Sequence, residues 1–390
     1  MNLRFARATA TTPGNRVQLL QSGQAFFPAL IAAIDAAVHE VHLETYIFHA
    51  DSSGEAVRAA LQRAASRGVA VRVLVDGIGS RPLPVDWFDA LKAAGAQVLV
   101  YRPLFFGWRL SPGSLRRLHR KLAVIDARHA FVGGINLIDD FEPIAHPAPR
   151  LDFSVAVEGP VLAEIYPNVR RLWRLIALSQ LRVHRRHALV PSWPTDAHAR
   201  AAFVVRDNFA HRRDIERGYL AAIALAQSEI VIACAYFLPG RRFRRLLKNA
   251  AARGVRVRLL VQGRTDHPVY QMAARALYRD LLMAGVELYE YQASELHAKV
   301  AVIDGQWATV GSSNIDPFSL LLAREANLVV DDVAFSNTLR QRLHTAIEQG
   351  AQQVEPTHWQ RRAWPRRMLS WLAYGGVRGL VGLAGFRRWV

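Results

Sequence analysis

Apolar residues recur along the chain in two alternating rhythms. Leu30 to Val38, Ala56 to Ser66, Gly218 to Ala226 and Phe243 to Ala252 carry the spacing of amphipathic helices. Between them lie short runs rich in β-branched residues, which read as buried strands: EVHLETYIF (Glu40 to Phe48), VAVRVLVDG (Val69 to Gly77) and AAGAQVLVY (Ala93 to Tyr101). The second half repeats them as EIVIACAYF (Glu229 to Phe237), VRVRLLVQG (Val255 to Gly263) and MAGVELYEY (Met283 to Tyr291). Arg67-Gly68-Val69 and Arg253-Gly254-Val255 are matching helix stops. Each half therefore reads helix, strand, helix, strand, helix, strand, followed by a hairpin. This predicts an α/β protein of two pseudo-symmetric lobes, each with a mostly parallel or mixed sheet flanked by helices.

The hairpins carry the chemistry. His119, Lys121 and Asp126 form His-x-Lys-x-x-x-x-Asp, followed by Gly133 and Asn136; His297, Lys299, Asp304, Gly311 and Asn314 repeat it. His to Asn spans 17 positions in both copies, and two of the chain's four lysines sit in the motifs. Leu122–Ile125 and Val300–Ile303 read as strands, so each histidine shares a face with its lysine. Asp126 and Asp304 complete the motif, and their place at a turn points to pinning the hairpin. Gly133-Gly134 and Gly311-Ser312 mark places where backbone can approach a ligand closely. A base or nucleophile, a cation and an amide donor, each given twice, suit a phosphodiester reaction. A single such motif on a strand would read as structural; the doubled set reads as one active site between the lobes.

At these residues the chain resembles the phospholipase D superfamily and, within it, the bacterial cardiolipin synthases of the B type, which lack N-terminal membrane spans. LETYIF (Leu43 to Phe48), HRKLAVIDARHAFVGGIN (His119 to Asn136), RDNFAHRRDIERGYL (Arg206 to Leu220) and GSSNIDPFSL (Gly311 to Leu320) carry the likeness, which runs from about Gly14 to Gln353. Pro317-Phe318 departs from the many members with an arginine before the serine. The resemblance implies a phosphohistidine mechanism; the residues themselves offer no carboxylate cluster suited to a metal pair, so no metal or cofactor is expected. His119 would be the nucleophile and His297 the acid/base; the motifs alone do not order them. Lys121, Lys299, Asn136 and Asn314 would hold phosphoryl oxygens, with Ser312 adding a donor. Glu325 resembles the family's histidine-orienting carboxylate, and Asp152 appears as its counterpart because DFSVAV parallels EANLVV. Glu44, a carboxylate inside an apolar strand, needs a partner that the sequence does not name.

Charge and composition bear on partners. Fifty basic residues against 32 acidic give a net charge of +18, which suits an anionic membrane or nucleic acid. An insertion before His119 adds Phe105, Phe106, Trp108 and Leu110 among arginines, which suits a membrane interface or a loop packed on its own lobe. Arg361 to Val390 holds seven arginines, three tryptophans and no acid. Its longest uncharged run, Met368 to Val377, is too short to span a bilayer, so it reads as an interfacial segment or a tail folded on the lobes. The domain plan is 1–186 and 201–355 as lobes, 187–200 as linker and 356–390 as a membrane-associating tail. No signal peptide or spanning segment is evident, and lone Cys234 suits a reducing compartment. A peripheral protein on the cytoplasmic side of a bacterial inner membrane is expected. Its partners would be anionic phospholipid, with phosphatidylglycerol and another phospholipid as substrates, in preference to nucleic acid. Three classes stay open: phosphatidyl transfer making cardiolipin, hydrolysis by a phospholipase D or nuclease, and a non-catalytic scaffold.

Overall fold

The structure, a computed structural model, describes residues 10–103, 116–141, 148–181, 188–193, 196–264, 268–356 and 364–383. Lobe one runs β1 (Thr12–Gln21), α1 (Ser22–Asp35), β2 (Glu40–Thr45), α2 (Ser52–Ser66), β3 (Ala70–Asp76), α3 (Val85–Ala93), β4 (Gln97–Tyr101), the hairpin β5 (Lys121–Ile125) and β6 (His129–Gly133), β7 (Phe153–Glu158) and α4 (Leu162–Ser179). Lobe two runs β8 (Ala199–Arg206), α5 (Asp214–Leu225), β9 (Glu229–Cys234), α6 (Arg241–Ala252), β10 (Arg256–Gln262), α7 (Pro268–Arg275), α8 (Tyr278–Leu282), β11 (Glu287–Tyr291), the hairpin β12 (Lys299–Ile303) and β13 (Trp307–Gly311), α9 (Pro317–Leu321), β14 (Glu325–Asp331) and α10 (Val333–Gly350). A short edge strand β15 (Ala351–Gln353) and helix α11 (Trp364–Leu383) follow.

The helix stops behave as the pattern predicts. Gly68 and Gly254 take φ of +87° and +88°, a conformation that ends a helix readily only at glycine. Asp51 starts α2 by accepting from Gly54 N at 2.9 Å. In each lobe three parallel strands (β2, β3, β4; β9, β10, β11) adjoin antiparallel ones in the same spatial order.

The lobes share one sheet. Strands β1 and β8 pair antiparallel, Thr12 opposite Ala201 and Asn15 opposite Ala199, fusing the halves into a single 15-stranded sheet. Buried Asn15 fastens the seam, donating to Ala199 O at 3.2 Å and accepting from Val161 N at 3.0 Å. One apolar layer continues across the seam under α4 and α10, joining Val124, Val155 and Val169 to Val302, Leu328 and Leu339. The opposite face is covered separately in each lobe, by α1 and α2 around Leu30 and Leu61 and by α5 and α6 around Ile223 and Leu247. Strands β1 and β8 and helices α4 and α10 lie outside the elements that the apolar pattern predicts.

Candidate active site

The two histidines stand at the ends of β5 and β12, where the lobes meet. Two short parallel pairings stitch this place, Leu118 with Arg324 and Leu151 with Leu296. His119 N donates to Arg324 O at 2.9 Å, and His297 N donates to Leu151 O at 2.9 Å. Each motif is thereby held against the segment that carries the other lobe's carboxylate.

The carboxylates consequently act crosswise. His119 Nδ1 bonds Glu325 Oε1 at 2.9 Å; His297 Nδ1 bonds Asp152 Oδ2 at 2.6 Å. A carboxylate only accepts, so Nδ1 carries the proton and Nε2 is left unprotonated for chemistry. The carboxylates are sealed while the histidine side chains keep 19% and 15% of their surface, which leaves the rings reachable. Gly134 clears the way for Asp152: a Cβ there would lie 2.3 Å from its Oδ1. The close neighbour of this glycine is the orienting carboxylate, where the sequence pattern suggested a ligand.

Burial sets the protonation. It lowers the pKa of both histidines, His119 against the pull of Glu325 and His297 well below the usual value with Lys299 adding to the effect. Asp152 is pushed up to about 6 by burial, opposed by Lys299. Burial brings Lys121 down to about 7, opposed by Glu325, and lowers Lys299, opposed by Asp152. Lys121 Nζ donates to His119 O at 2.7 Å, and Lys299 Nζ donates likewise to His297 O. Asn136 Oδ1 accepts from Ile47 N at 3.2 Å and Asn314 Oδ1 from Tyr236 N at 3.4 Å. Those bonds orient each side chain with its amide nitrogen available to donate.

Ser312 does a different job from the one expected. Its buried hydroxyl donates to Glu325 Oε2 and accepts from Ala326 N at 3.1 Å, so it anchors the carboxylate and is not placed to bind phosphate. Asp126 and Asp304 do not join the catalytic set either. They sit at the far ends of β5 and β12, roughly 20 Å from the histidines at strand rise. Asp126 accepts from Val38, His39 and Glu40 N at 2.7–2.8 Å, and Asp304 from Gln227, Ser228 and Glu229 N at 2.8–2.9 Å. The motif's last residue pins the turn entering β2 or β9.

Tyr46, Arg120 and Arg206 join the site beyond the residues that the sequence singles out. Tyr46 lies with its ring 4.9 Å from His119 and 5.4 Å from Lys121 Nζ. Its signal was a break in the repeat, since Ala235 holds the matching place in EIVIACAYF. Glu44 finds its partner in Arg120, between His119 and Lys121, which donates to both oxygens, at 2.9 Å to Oε1. Strand alternation turns Arg120 to the opposite face from its neighbours. Buried Arg206 donates to Leu321 O, Ala323 O and Asn208 Oδ1, bracing the chain just before Glu325.

A family model described as "Cardiolipin synthase, PLD-like domain" matches residues 30–140 and 219–347, one stretch in each lobe. Over 385 residues the chain is 41% identical to cardiolipin synthase B of Shigella flexneri, covering 96% of this chain and 90% of that protein. Cardiolipin synthase B of Escherichia coli (strain K12) is 40% identical over the same shares. The chain belongs to the cardiolipin synthase family of phospholipase D-like proteins. A cardiolipin synthase 1 from Bacillus anthracis is a more distant family member at 31% over 315 residues, covering 79% of this chain and 62% of that one. The family's fold is shared with phosphatidylserine synthase of Haemophilus influenzae Rd KW20, at TM-score 0.70 and 14% identity over 94% of each chain. Polyphosphate kinase from Porphyromonas gingivalis shares it more loosely, at TM-score 0.58 and 14% identity over 94% of this chain and 53% of that one.

Proposed function

We propose that this chain is a phosphatidyltransferase that makes cardiolipin and glycerol from two molecules of phosphatidylglycerol. The observation that carries the reading is the crosswise pairing of His119 with Glu325 and His297 with Asp152, in a chain about 40% identical to cardiolipin synthase B. His119 Nε2 attacks phosphorus, and the bond from phosphorus to the headgroup glycerol oxygen breaks. His297, protonated once the anionic phosphodiester sits beside it and favours the imidazolium, gives its Nε2 proton to the departing glycerol. Neutral His297 then takes the proton of a hydroxyl on a second phosphatidylglycerol headgroup. That oxygen attacks the phosphohistidine, the P–N bond breaks, and cardiolipin leaves. Lys121, Lys299 and the amides of Asn136 and Asn314 stabilise the charge that builds on the non-bridging oxygens.

The substrate lies in a bilayer, and α11 suits that surface. Its one face, Ser370, Tyr374 and Val377, is buried, with Tyr374 and Val377 packed on Leu238, Ala273 and Leu277. Its other face leaves Met368, Leu369, Trp371 and Leu372 at least half exposed. Among the described residues no helix is long and apolar enough to cross a membrane. The helix is therefore read as an interfacial element that lies on anionic lipid. The aromatic insertion at Phe105, Phe106, Trp108 and Leu110 falls outside the described residues.

The test is incubation of purified protein with phosphatidylglycerol vesicles, with products identified by mass. Cardiolipin and glycerol in equal amounts are expected. Phosphatidic acid as the sole lipid product would identify a hydrolase, and an unchanged lipid would refute both.

A further inference from the structure

The two lobes repeat each other closely, yet the corners beside the two histidines differ. Beside His119 the corner is filled. The Tyr46 ring packs there, and a Cβ on Gly79 would lie 2.9 Å from it. Asp76, at the end of β3, accepts from Leu118 N at 2.9 Å and holds the Arg117 guanidinium at 2.6 Å. Beside His297 the matching residues are smaller or uncharged. Ala235 stands for Tyr46. Gln262 stands for Asp76 and keeps its backbone role, accepting from Leu296 N at 2.9 Å. Glu295 stands for Arg117 and turns away to Arg150, at 2.9 Å.

A cavity of about 20 Å³ opens at this second corner, lined by Ala235, Tyr236, Val261, Gln262, Tyr270 and Gln271 among others. It lies at the C-terminal ends of parallel strands β9 and β10, the end of the sheet where α/β proteins bind ligands. Ala235 N donates to Ala298 O at 3.0 Å, which puts the cavity wall directly beside the strand entry that carries His297 and Lys299.

We propose that this cavity is the subsite for a hydroxyl-bearing end of the alcohol that exchanges on phosphorus, here the glycerol headgroup of the acceptor lipid. The proposal rests on the phosphatidyl-transfer reading above. Its walls offer neutral donors and acceptors. Gln262 spends its carbonyl on Leu296 and leaves its amide nitrogen. Gln271 spends its nitrogen on Gln262 O and Gly263 O, at 3.3 and 2.8 Å, and leaves its carbonyl. The Tyr270 hydroxyl is buried on the cavity wall beside the Asp316 carboxylate, and its oxygen lone pairs can accept from a bound hydroxyl. Among the described residues no cation lines the cavity, so its chemistry fits an alcohol better than a second phosphate. The space has room for one small polar group such as a hydroxyl. Tyr46 closes the equivalent place in lobe one, so the alcohol is held on the His297 side. That polarity makes His297 the group that trades protons with the alcohol and leaves His119 to attack phosphorus.

The test separates the alcohol from the leaving group. A short-chain phosphatidyl p-nitrophenol forms the phosphoenzyme by releasing nitrophenol, and added glycerol competes with water for that intermediate. The ratio of phosphatidylglycerol to phosphatidic acid is read per nitrophenol released, so it does not depend on how fast the intermediate forms. Tyr270→Phe, which removes only the hydroxyl, and Ala235→Leu, which fills the space, should each lower that ratio about tenfold, the worth of one hydrogen bond or one excluded group. Nitrophenol release reports that the variant is folded; if Ala235→Leu does not fold, Tyr270→Phe decides alone. An unchanged ratio with nitrophenol still released overturns the subsite. Absence of nitrophenol release from the unaltered protein would instead overturn the transfer reading itself.

Discussion

His119 and His297 occupy equivalent places but receive different tasks in the mechanism, so neither substitutes for the other. His119→Ala and His297→Ala should each reduce cardiolipin formation at least about a thousandfold, the usual loss for an attacking or proton-transferring group. Mass mapping of trapped intermediate should find the phosphoryl group on His119; an adduct on His297 reverses the roles. The buried cluster also fixes a pH response. Asp152, raised to about 6, must be ionised to hold the His297 tautomer, so kcat/KM should fall as pH drops through about 6. Lys121, lowered to about 7, must be protonated to meet phosphoryl oxygens, so kcat/KM should fall as pH rises past about 7. The limbs belong to the coupled cluster as a whole. Lys121→Arg, which stays charged, should carry the alkaline limb upward; a limb that does not move would remove Lys121 from the charge-stabilising set.

At the scale of elements, the motif's two ends have separate functions. The histidine end of β5 or β12 faces the site, and the aspartate end ties down the next turn. Asp126→Ala and Asp304→Ala each strip three backbone N–H groups of their acceptor. Each should destabilise the fold by about 1–3 kcal/mol in denaturant titration while leaving activity per folded molecule near the parent value. Loss of turnover in a fully folded variant would return these aspartates to the catalytic set. Arg120 and Glu44 form a buried ion pair on the opposite face of the same strands. Arg120→Leu should cost about 3–5 kcal/mol by stranding the carboxylate, and Glu44→Leu added to it should recover most of that loss. Equal destabilisation in the double variant would show that packing, not charge, is what the pair supplies.

At the scale of the molecule, the sheet through β1 and β8 makes the lobes one body, and α11 adds a second surface to lobe two. Because Tyr374 and Val377 are packed on α7, removing the tail would uncover apolar surface of the fold. The membrane role is better tested on the exposed face. Leu369→Glu with Leu372→Glu should weaken binding to anionic vesicles several-fold and slow reaction on bilayers, with activity on short-chain soluble lipid preserved. Equal sedimentation of both proteins with vesicles would exclude α11 as the lipid-contacting element. Salt should weaken vesicle binding of the unaltered protein, since a net charge of +18 acts through screened attraction.

The sequence by itself determined the repeat, the alternation of helices and strands, the family and the doubled set of His, Lys and Asn. These are local or periodic properties: spacing along one strand puts His119 with Lys121, and self-similarity relates the halves without coordinates. It also brought Glu325 and Asp152 forward as a matched pair. Only the tertiary structure decided that each carboxylate serves the histidine of the other lobe, because that follows from how Leu118 pairs with Arg324 and Leu151 with Leu296 across about 150 to 200 positions of chain. The same is true of Ser312, whose hydroxyl turned to Glu325, and of Glu44, whose partner Arg120 is adjacent only once β2 and β5 lie side by side. Strands β1 and β8 lie outside the repeats that the sequence shows, and their place is fixed by the pairing of β1 with β7, of β8 with β14 and of the two with each other. A residue's type limits what it can do; which group it meets is set by packing between segments that share no sequence neighbourhood.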